Sequence, residues 1–262
     1  MKYSACIEML FQEVPFLERI AKAKQAGFSH VEFWCWWEKD IPAIKDALAE
    51  TGMQVAVFQG NKEGTMIDPG DHRKYCDGVM ESLETAKTLG AGSLFCLTDV
   101  LGEDRTVVPP PHEIAEHSKE EAILKVMATL APEAEKAGVR LLMEPLNTLV
   151  DHAGYHIHHS DIAWALHEKI DHPNVKVLYD IYHMQIMEGN ITETLKKNFD
   201  AIGHIHVADV PGRHEPGSGE INYQHIAKTL RELNYEGIVG FEFEPTGATD
   251  AALAKTKEWF GF

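Results

Sequence analysis

The 262-residue sequence has only four cysteines, Cys6, Cys35, Cys76 and Cys96, and no CxxC pair among them. That argues against a disulfide framework and predicts reduced, packed thiols. No uninterrupted apolar run reaches about 18 residues, so no membrane span is expected. The opening "MKYSACIEML" lacks the long apolar stretch of a secretory signal. A cytoplasmic protein is the expectation. Positive charge is scarce as well: 24 Lys and Arg against 41 Asp and Glu give a formal net charge of −17. Such a surface repels phosphate backbones, and no basic stripe with interleaved aromatics offsets it, so nucleic acid is not an expected partner. No Ser/Gly/Pro-rich linker divides the chain, which predicts a single domain over residues 1–262.

What is present is a rhythm. Short apolar strands alternate with amphipathic helices: "KYSACIEML", "HVEFW", "MQVAVFQG", "SLFCLTDV", "VRLLMEPLN", "VKVLYDIYH", "AIGHIHVAD" and "GIVGFEFEP" read as strands, each followed by a helical pattern. Gly27, Gly52 and Gly90 stand where helices should end, and Ser118 with Glu121 forms a capping-box pattern ahead of the fourth helix. Eight such units in a chain of this length predict a (β/α)8 TIM barrel. The rival, a doubly wound open sheet, would want a glycine-rich phosphate turn after the first strand, and "SACIEMLFQEVP" has no glycine. No nucleotide cofactor is expected. The loop 100–117, "VLGEDRTVVPPPHEIAEH", follows strand four and so belongs to the face where barrels build their sites, as a wall or lid.

Polar residues close strands five to eight: Glu144, Asp180, His206 and Glu242. Each follows mostly apolar residues, where an uncompensated carboxylate is costly. Taken singly, each reads as a cap or a hydrogen-bonded core residue. Four neighbouring strands ending this way would aim three carboxylates and an imidazole at one spot, and a divalent metal is the simplest compensation. Mostly oxygen, one nitrogen and no sulfur suit Mn²⁺, Mg²⁺ or Co²⁺ better than structural zinc. Strand periodicity puts His204 and His206 on one face and Glu242 and Glu244 on one face, and spacing alone does not separate the last two. Further candidates to contact a substrate are Arg213, whose planar fork suits a carboxylate, Glu215 to orient it, Trp34 in the "FWCWW" cluster (residues 33–37), Gln59, and more weakly Asn61 and His112. The tryptophans serve equally as substrate walls or helix packing.

"EPLN", "YDIYH", "GHIHVADVPGRHEPGSGEINY" and "GFEFEP" together resemble the xylose isomerase-like barrel superfamily. Within it, "MLFQEVPFLERIAKAKQAGF" and "PGRHEPGSGEINY" are most similar to the hydroxypyruvate isomerase family, which is related to the ketose 3-epimerases. The resemblance implies that Glu144, Asp180, His206 and Glu242 ligate one metal, with Glu144 and Glu242 as the acid–base pair, and it favours Glu242 over Glu244. It also implies that His204 lies one layer deeper, that His183 binds substrate, and that the loop after strand seven grips it. His206 stands where hydroxypyruvate isomerases commonly carry glutamine and ketose 3-epimerases carry histidine.

The expected enzyme is therefore an aldose–ketose type isomerase, or an epimerase, acting through an enediolate on a small sugar or keto acid. Hydroxypyruvate to tartronate semialdehyde is the first candidate, and epimerisation of a non-phosphorylated tetrose to hexose the alternative. By analogy with those families a homo-oligomer is expected. A nuclease would need a basic groove; a glycosidase would need the paired carboxylates but neither the histidine nor the third carboxylate; a non-catalytic binding barrel would need only the ligands.

Overall fold

Strands covered by helices on one face and by a barrel interior on the other have no wet side, so they are apolar nearly throughout. The computed structural model, which describes residues 1–262, follows this rule. Eight parallel strands close into a barrel in chain order: β1 (Lys2–Cys6), β2 (His30–Phe33), β3 (Gln54–Gln59), β4 (Ser93–Cys96), β5 (Arg140–Met143), β6 (Val175–Asp180), β7 (Ile202–Val207) and β8 (Ile238–Phe241). β8 returns to β1, with Ala5 opposite Phe241. Every residue of β2, β4 and β7 is buried.

Nine helices ring the barrel: α1 (Phe16–Gln25), α2 (Ile41–Thr51), α3 (His72–Leu89), α4 (Glu116–Ala137), α5 (Ser160–Ile170), α6 (Ile181–Met187), α7 (Ile191–Lys197), α8 (Tyr223–Glu232) and α9 (Thr249–Phe260). α8 shows why they stay attached. Tyr223, Ile226, Ala227 and Leu230, spaced for one helical face, turn into the layer between helices and strands. Burying one such large side chain contributes about 1.5–3 kcal/mol. α2 starts where Asp40 accepts from the Ala43 backbone N–H at 3.0 Å.

The (β/α)8 expectation holds, with local corrections. β1 stops at Cys6 rather than running on to Leu10. α4 begins at Glu116 because Ala115 is still extended, so Ser118 and Glu121 lie inside the helix and form no capping box. α6 starts directly after β6, since Asp180 Oδ1 accepts from the backbone N–H of Tyr182 (2.8 Å) and of His183 (3.4 Å). One side chain thus ends a strand and caps a helix. The loop 100–117 folds back through a bridge between Leu101 and Val107, and Val107 N–H donates to the Ala153 carbonyl. The four cysteines are unpaired, and no helix is long and apolar enough to cross a membrane.

Candidate active site

Four consecutive strands deliver their polar ends to one point. Glu144 follows β5, Asp180 ends β6, His206 is the penultimate residue of β7 and Glu242 follows β8, all buried. One donor atom from each lies within 4.8 Å of the other three. His206 Nδ1 sits 3.4 Å from Glu242 Oε2, 3.6 Å from Glu144 Oε1 and 3.9 Å from Asp180 Oδ2. It makes no hydrogen bond. A buried imidazole nitrogen without a partner, facing three buried carboxylates, is a donor set that fits a hard or borderline divalent cation. Glu244, the residue that spacing left in competition with Glu242, is exposed; its backbone N–H donates to the Arg213 carbonyl.

The carboxyl groups ionise unequally. Burial pushes Glu144 up to about 7, against the pull of His206. Burial also raises Asp180, to about 6, with Arg213 and His206 opposing. Burial acts on Glu242 too, but Arg213 and His206 overcome it and hold that carboxyl down at about 2. On His206 burial is outweighed by Glu242 and Glu32, which keep the ring protonated well above its ordinary range.

Glu242 is the best-held member. Arg213 Nη2 donates to its Oε2 at 2.5 Å, Trp34 Nε1 to its Oε1 at 2.8 Å, and the Cys6 thiol lies 3.6 Å from Oε1. Arg213 also stands 3.8 Å from Asp180 and 5.2 Å over the Tyr182 ring, yet its Nε has no partner. The loop that carries it is organised by buried Asp209, which accepts from the backbone N–H groups of Val210, Gly217 and Ile221. Gly219 is required there, because a Cβ would lie 2.1 Å from the Val210 carbonyl oxygen. Glu215 does not reach Arg213; its carboxylate accepts from the Thr246 hydroxyl and backbone N–H, joining the loops after β7 and β8.

His183 is buried beside the cluster. Its Nδ1 accepts from Asn147 N–H (3.2 Å), with Asn147 Nδ2 at 2.7 Å, which places the ring proton on Nε2. That Nε2 has no partner in the protein. Burial, with the nearby Arg213 charge, keeps the ring neutral. Glu144, Glu242, His183, Arg213, Trp34 and Gln59 all line a cavity of about 350 Å³. Trp37 also faces it, whereas Trp36 turns away to donate to Ser82, so the aromatic cluster divides between wall and packing. Asn61 lines the cavity while bonding the Leu97 backbone N–H. Loop 100–117 supplies a wall through Leu101, Gly102 and Arg105; His112 lies apart, 3.5 Å from Asp68.

The sequence reading overlooked Glu32, Asn147, His152 and Cys6. Only Asn147 carried a signal, as the last residue of "EPLN" three after Glu144. The others acquire meaning through partners more than a hundred residues away, except His152, which bonds the Arg105 carbonyl across two loops.

Comparison with known proteins agrees with this fold. A family model described as Xylose isomerase-like TIM barrel matches residues 20–260. The chain is 34% identical over 260 residues to the hydroxypyruvate isomerase of Escherichia coli, covering 97% of each chain. It is 31% identical to the 2-oxo-tetronate isomerase of Cupriavidus necator, covering 99% of each. Among solved structures it is similar to a Brucella melitensis protein described as an AP endonuclease, family 2, with 30% identity, 98% coverage of each chain and a TM-score of 0.88. The chain belongs to the xylose isomerase-like TIM barrel family and is an enzyme of the isomerase or epimerase type.

Proposed function

We propose that this protein isomerises a small, non-phosphorylated hydroxy-keto acid through an enediolate, with hydroxypyruvate to tartronate semialdehyde as the first reaction to test. Glu144, Asp180, His206 and Glu242 hold one divalent ion, Mn²⁺, Mg²⁺ or Co²⁺. The bound ion supplies positive charge for the oxyanion that develops as a proton leaves carbon. The observation that carries the reading is His206 Nδ1, buried without a hydrogen bond amid three carboxylates, two of which, Glu144 and Glu242, line a cavity that also presents the donors His183 and Arg213.

Those donors are the neutral His183 Nε2–H and the Arg213 guanidinium. They orient the substrate's carboxylate and carbonyl oxygens by hydrogen bonds to charged or developing-charge groups. One glutamate takes the proton from the hydroxyl-bearing carbon, and a proton returns to the former carbonyl carbon while the hydroxyl proton moves between the oxygens. No atom is gained or lost. Glu144 and Glu242 form the acid–base pair, one taking the proton and the other returning it. The formal charge of −17 disfavours the nuclease activity suggested by the Brucella protein's description.

Incubating the Mn²⁺-reconstituted protein in D₂O with hydroxypyruvate, 2-oxo-tetronate, tetroses, pentoses and hexoses tests this directly. Deuterium at carbon and conversion of a keto acid are expected. Exchange confined to a ketose C3 replaces the substrate with the epimerase alternative, for which His206 in place of glutamine speaks. No exchange with any substrate sinks the enediolate reading.

A further inference from the structure

The reading above uses His206 through Nδ1 alone and leaves unexplained the carboxylate buried behind its other nitrogen. Glu32, the third residue of β2, enters the barrel interior and reaches β7. Its Oε2 accepts from His206 Nε2–H at 2.9 Å and lies 3.1 Å from His204 Nε2, and its Oε1 accepts from the Ser4 hydroxyl at 2.6 Å. All four residues are buried. β8 gives way to it: a Cβ on Gly240 would lie 2.0 Å from Glu32 Oε1 and 2.8 Å from His204 Nε2. A lone acidic side chain inside a barrel is costly unless it is fully partnered, and here three strands contribute to keeping it.

We propose that Glu32 is a positioning residue for the metal centre, fixing the ring rotation and tautomer of His206 so that its Nδ1 lone pair faces Glu144, Asp180 and Glu242. The proposal rests on the reading of those four residues as a metal site. A neutral imidazole carries one N–H, and the nitrogen that donates decides which nitrogen is left to ligate. A carboxylate behind a ligating histidine also makes that histidine a stronger donor. Ser4 tethers the second oxygen, and the His204 ring stands edge-on to His206 with centroids 4.9 Å apart, so neither partner can turn freely. The sequence motif "HIH" is thereby accounted for. One imidazole faces the three carboxylates, and the other packs the carboxylate that holds it.

The test is a titration of the full-length protein with Mn²⁺ alone, followed by the EPR signal of the free ion, in wild type, Glu32→Gln and Ser4→Ala. One ion per wild-type chain is expected, with binding weakened about 10- to 100-fold in Glu32→Gln and more mildly in Ser4→Ala. Repeating Glu32→Gln in a His206→Gln background, where no imidazole remains to be positioned, should shrink its effect several-fold; a merely structural role would leave it unchanged. If Glu32→Gln does not fold, Ser4→Ala and its His206→Gln double variant decide the matter in the same way. Equal affinity in wild type and variants overturns the positioning role while leaving the metal site intact. Two ions per wild-type chain, one of them lost in Glu32→Gln, overturns it in favour of a second cation held by Glu32 and the histidines. A wild type that binds no Mn²⁺ overturns the metal reading and this proposal together.

Discussion

Glu242 and Glu144 stand at nearly the same distance from His206 Nδ1, 3.4 and 3.6 Å, yet they are opposite kinds of acid. Glu242 is held at about 2 because Arg213 and His206 outweigh its burial; Glu144 lacks an arginine partner, and burial lifts it to about 7. Two carboxyl groups whose surroundings drive them apart are what acid–base work on one substrate requires. Glutamine at each position should therefore have different consequences. Glu144→Gln removes a group whose charge the site disfavours, so the metal-free protein should keep its melting temperature while turnover falls by about 10²–10⁴. Glu242→Gln strands the Arg213 charge in the interior, and a loss of about 3–5 kcal/mol of stability is expected in addition. Melting curves and solvent-exchange rates measure both, and equal thermal losses in the two variants would contradict the asymmetry.

Arg213 has two jobs in this arrangement, because Nη2 serves Glu242 while Nε has no partner inside the protein. Lysine preserves the charge and drops the fork. Arg213→Lys should accordingly keep the protein folded and metal-binding but lower kcat/KM about 10- to 100-fold, the worth of one hydrogen bond to a charged group, chiefly through KM. Steady-state kinetics on the substrate found by isotope exchange checks this. A variant within threefold of wild type removes Arg213 from substrate binding.

Protonation sets a pH dependence with a definite sign. Unfolded, Glu144 loses its proton near 4.3, whereas in the metal-free fold it keeps it to about 7. Between those values the native state binds more protons, so its stability falls as pH rises. His206, kept protonated in the fold by Glu242 and Glu32 against its burial, adds a slope of the same sign above ~6.5. Metal binding reverses the preference, since ligands must be deprotonated. The melting-temperature gap between Mn²⁺-loaded and metal-free protein should widen from pH 6 to pH 8. Calorimetric titrations at pH 7 in two buffers of different ionisation enthalpy should show at least about one proton released per ion. A gap that stays constant from pH 6 to pH 8 would show that Glu144 and His206 enter the metal site already deprotonated.

Much of this site was legible because a barrel converts chain order into position. Glu144, Asp180 and His206 needed only the recognition that each ends a strand, and closure in sequence order makes such residues neighbours; strand spacing does not separate Glu242 from Glu244, and only the family resemblance favours Glu242. What stayed hidden were relationships that no local pattern encodes. Glu32 sits in "HVEF" like any strand-end acid, and its role appears only when β7, 174 residues later, lays His206 against it. Glu215 looked like a partner for Arg213 two residues away, but the turn directs it to Thr246 on the next loop. Trp34 and Trp36 are alike in sequence and differ in which side of the barrel rim the left-handed turn at Cys35 gives them. The start of α6 has no local sign in "VKVLYDIYH", because one side chain, Asp180, both ends the strand and caps the helix.

Gly240 ties the fold to the site, and its replacement offers a last test. The Cβ of Gly240→Ala would lie 2.0 Å from Glu32 Oε1, 2.8 Å from Glu32 Cδ and 2.8 Å from His204 Nε2. A strand in a closed barrel cannot step aside, so the side chains must yield, and overpacking of this kind costs about 1–3 kcal/mol. A displaced Glu32 also releases His206 Nε2, so Mn²⁺ affinity should fall together with melting temperature. Shortening the acid relieves the clash: Glu32→Ser combined with Gly240→Ala should be more stable than the sum of the two single changes predicts, by about 0.5–3 kcal/mol, as expected of residues in contact. Because Glu32→Ser cannot hold His206, metal affinity should stay low even where stability recovers. Separation of the two readouts in the double variant would show that β8 omits a side chain at 240 to make room for Glu32. Strict additivity in stability would mean that the glycine is needed for some other reason.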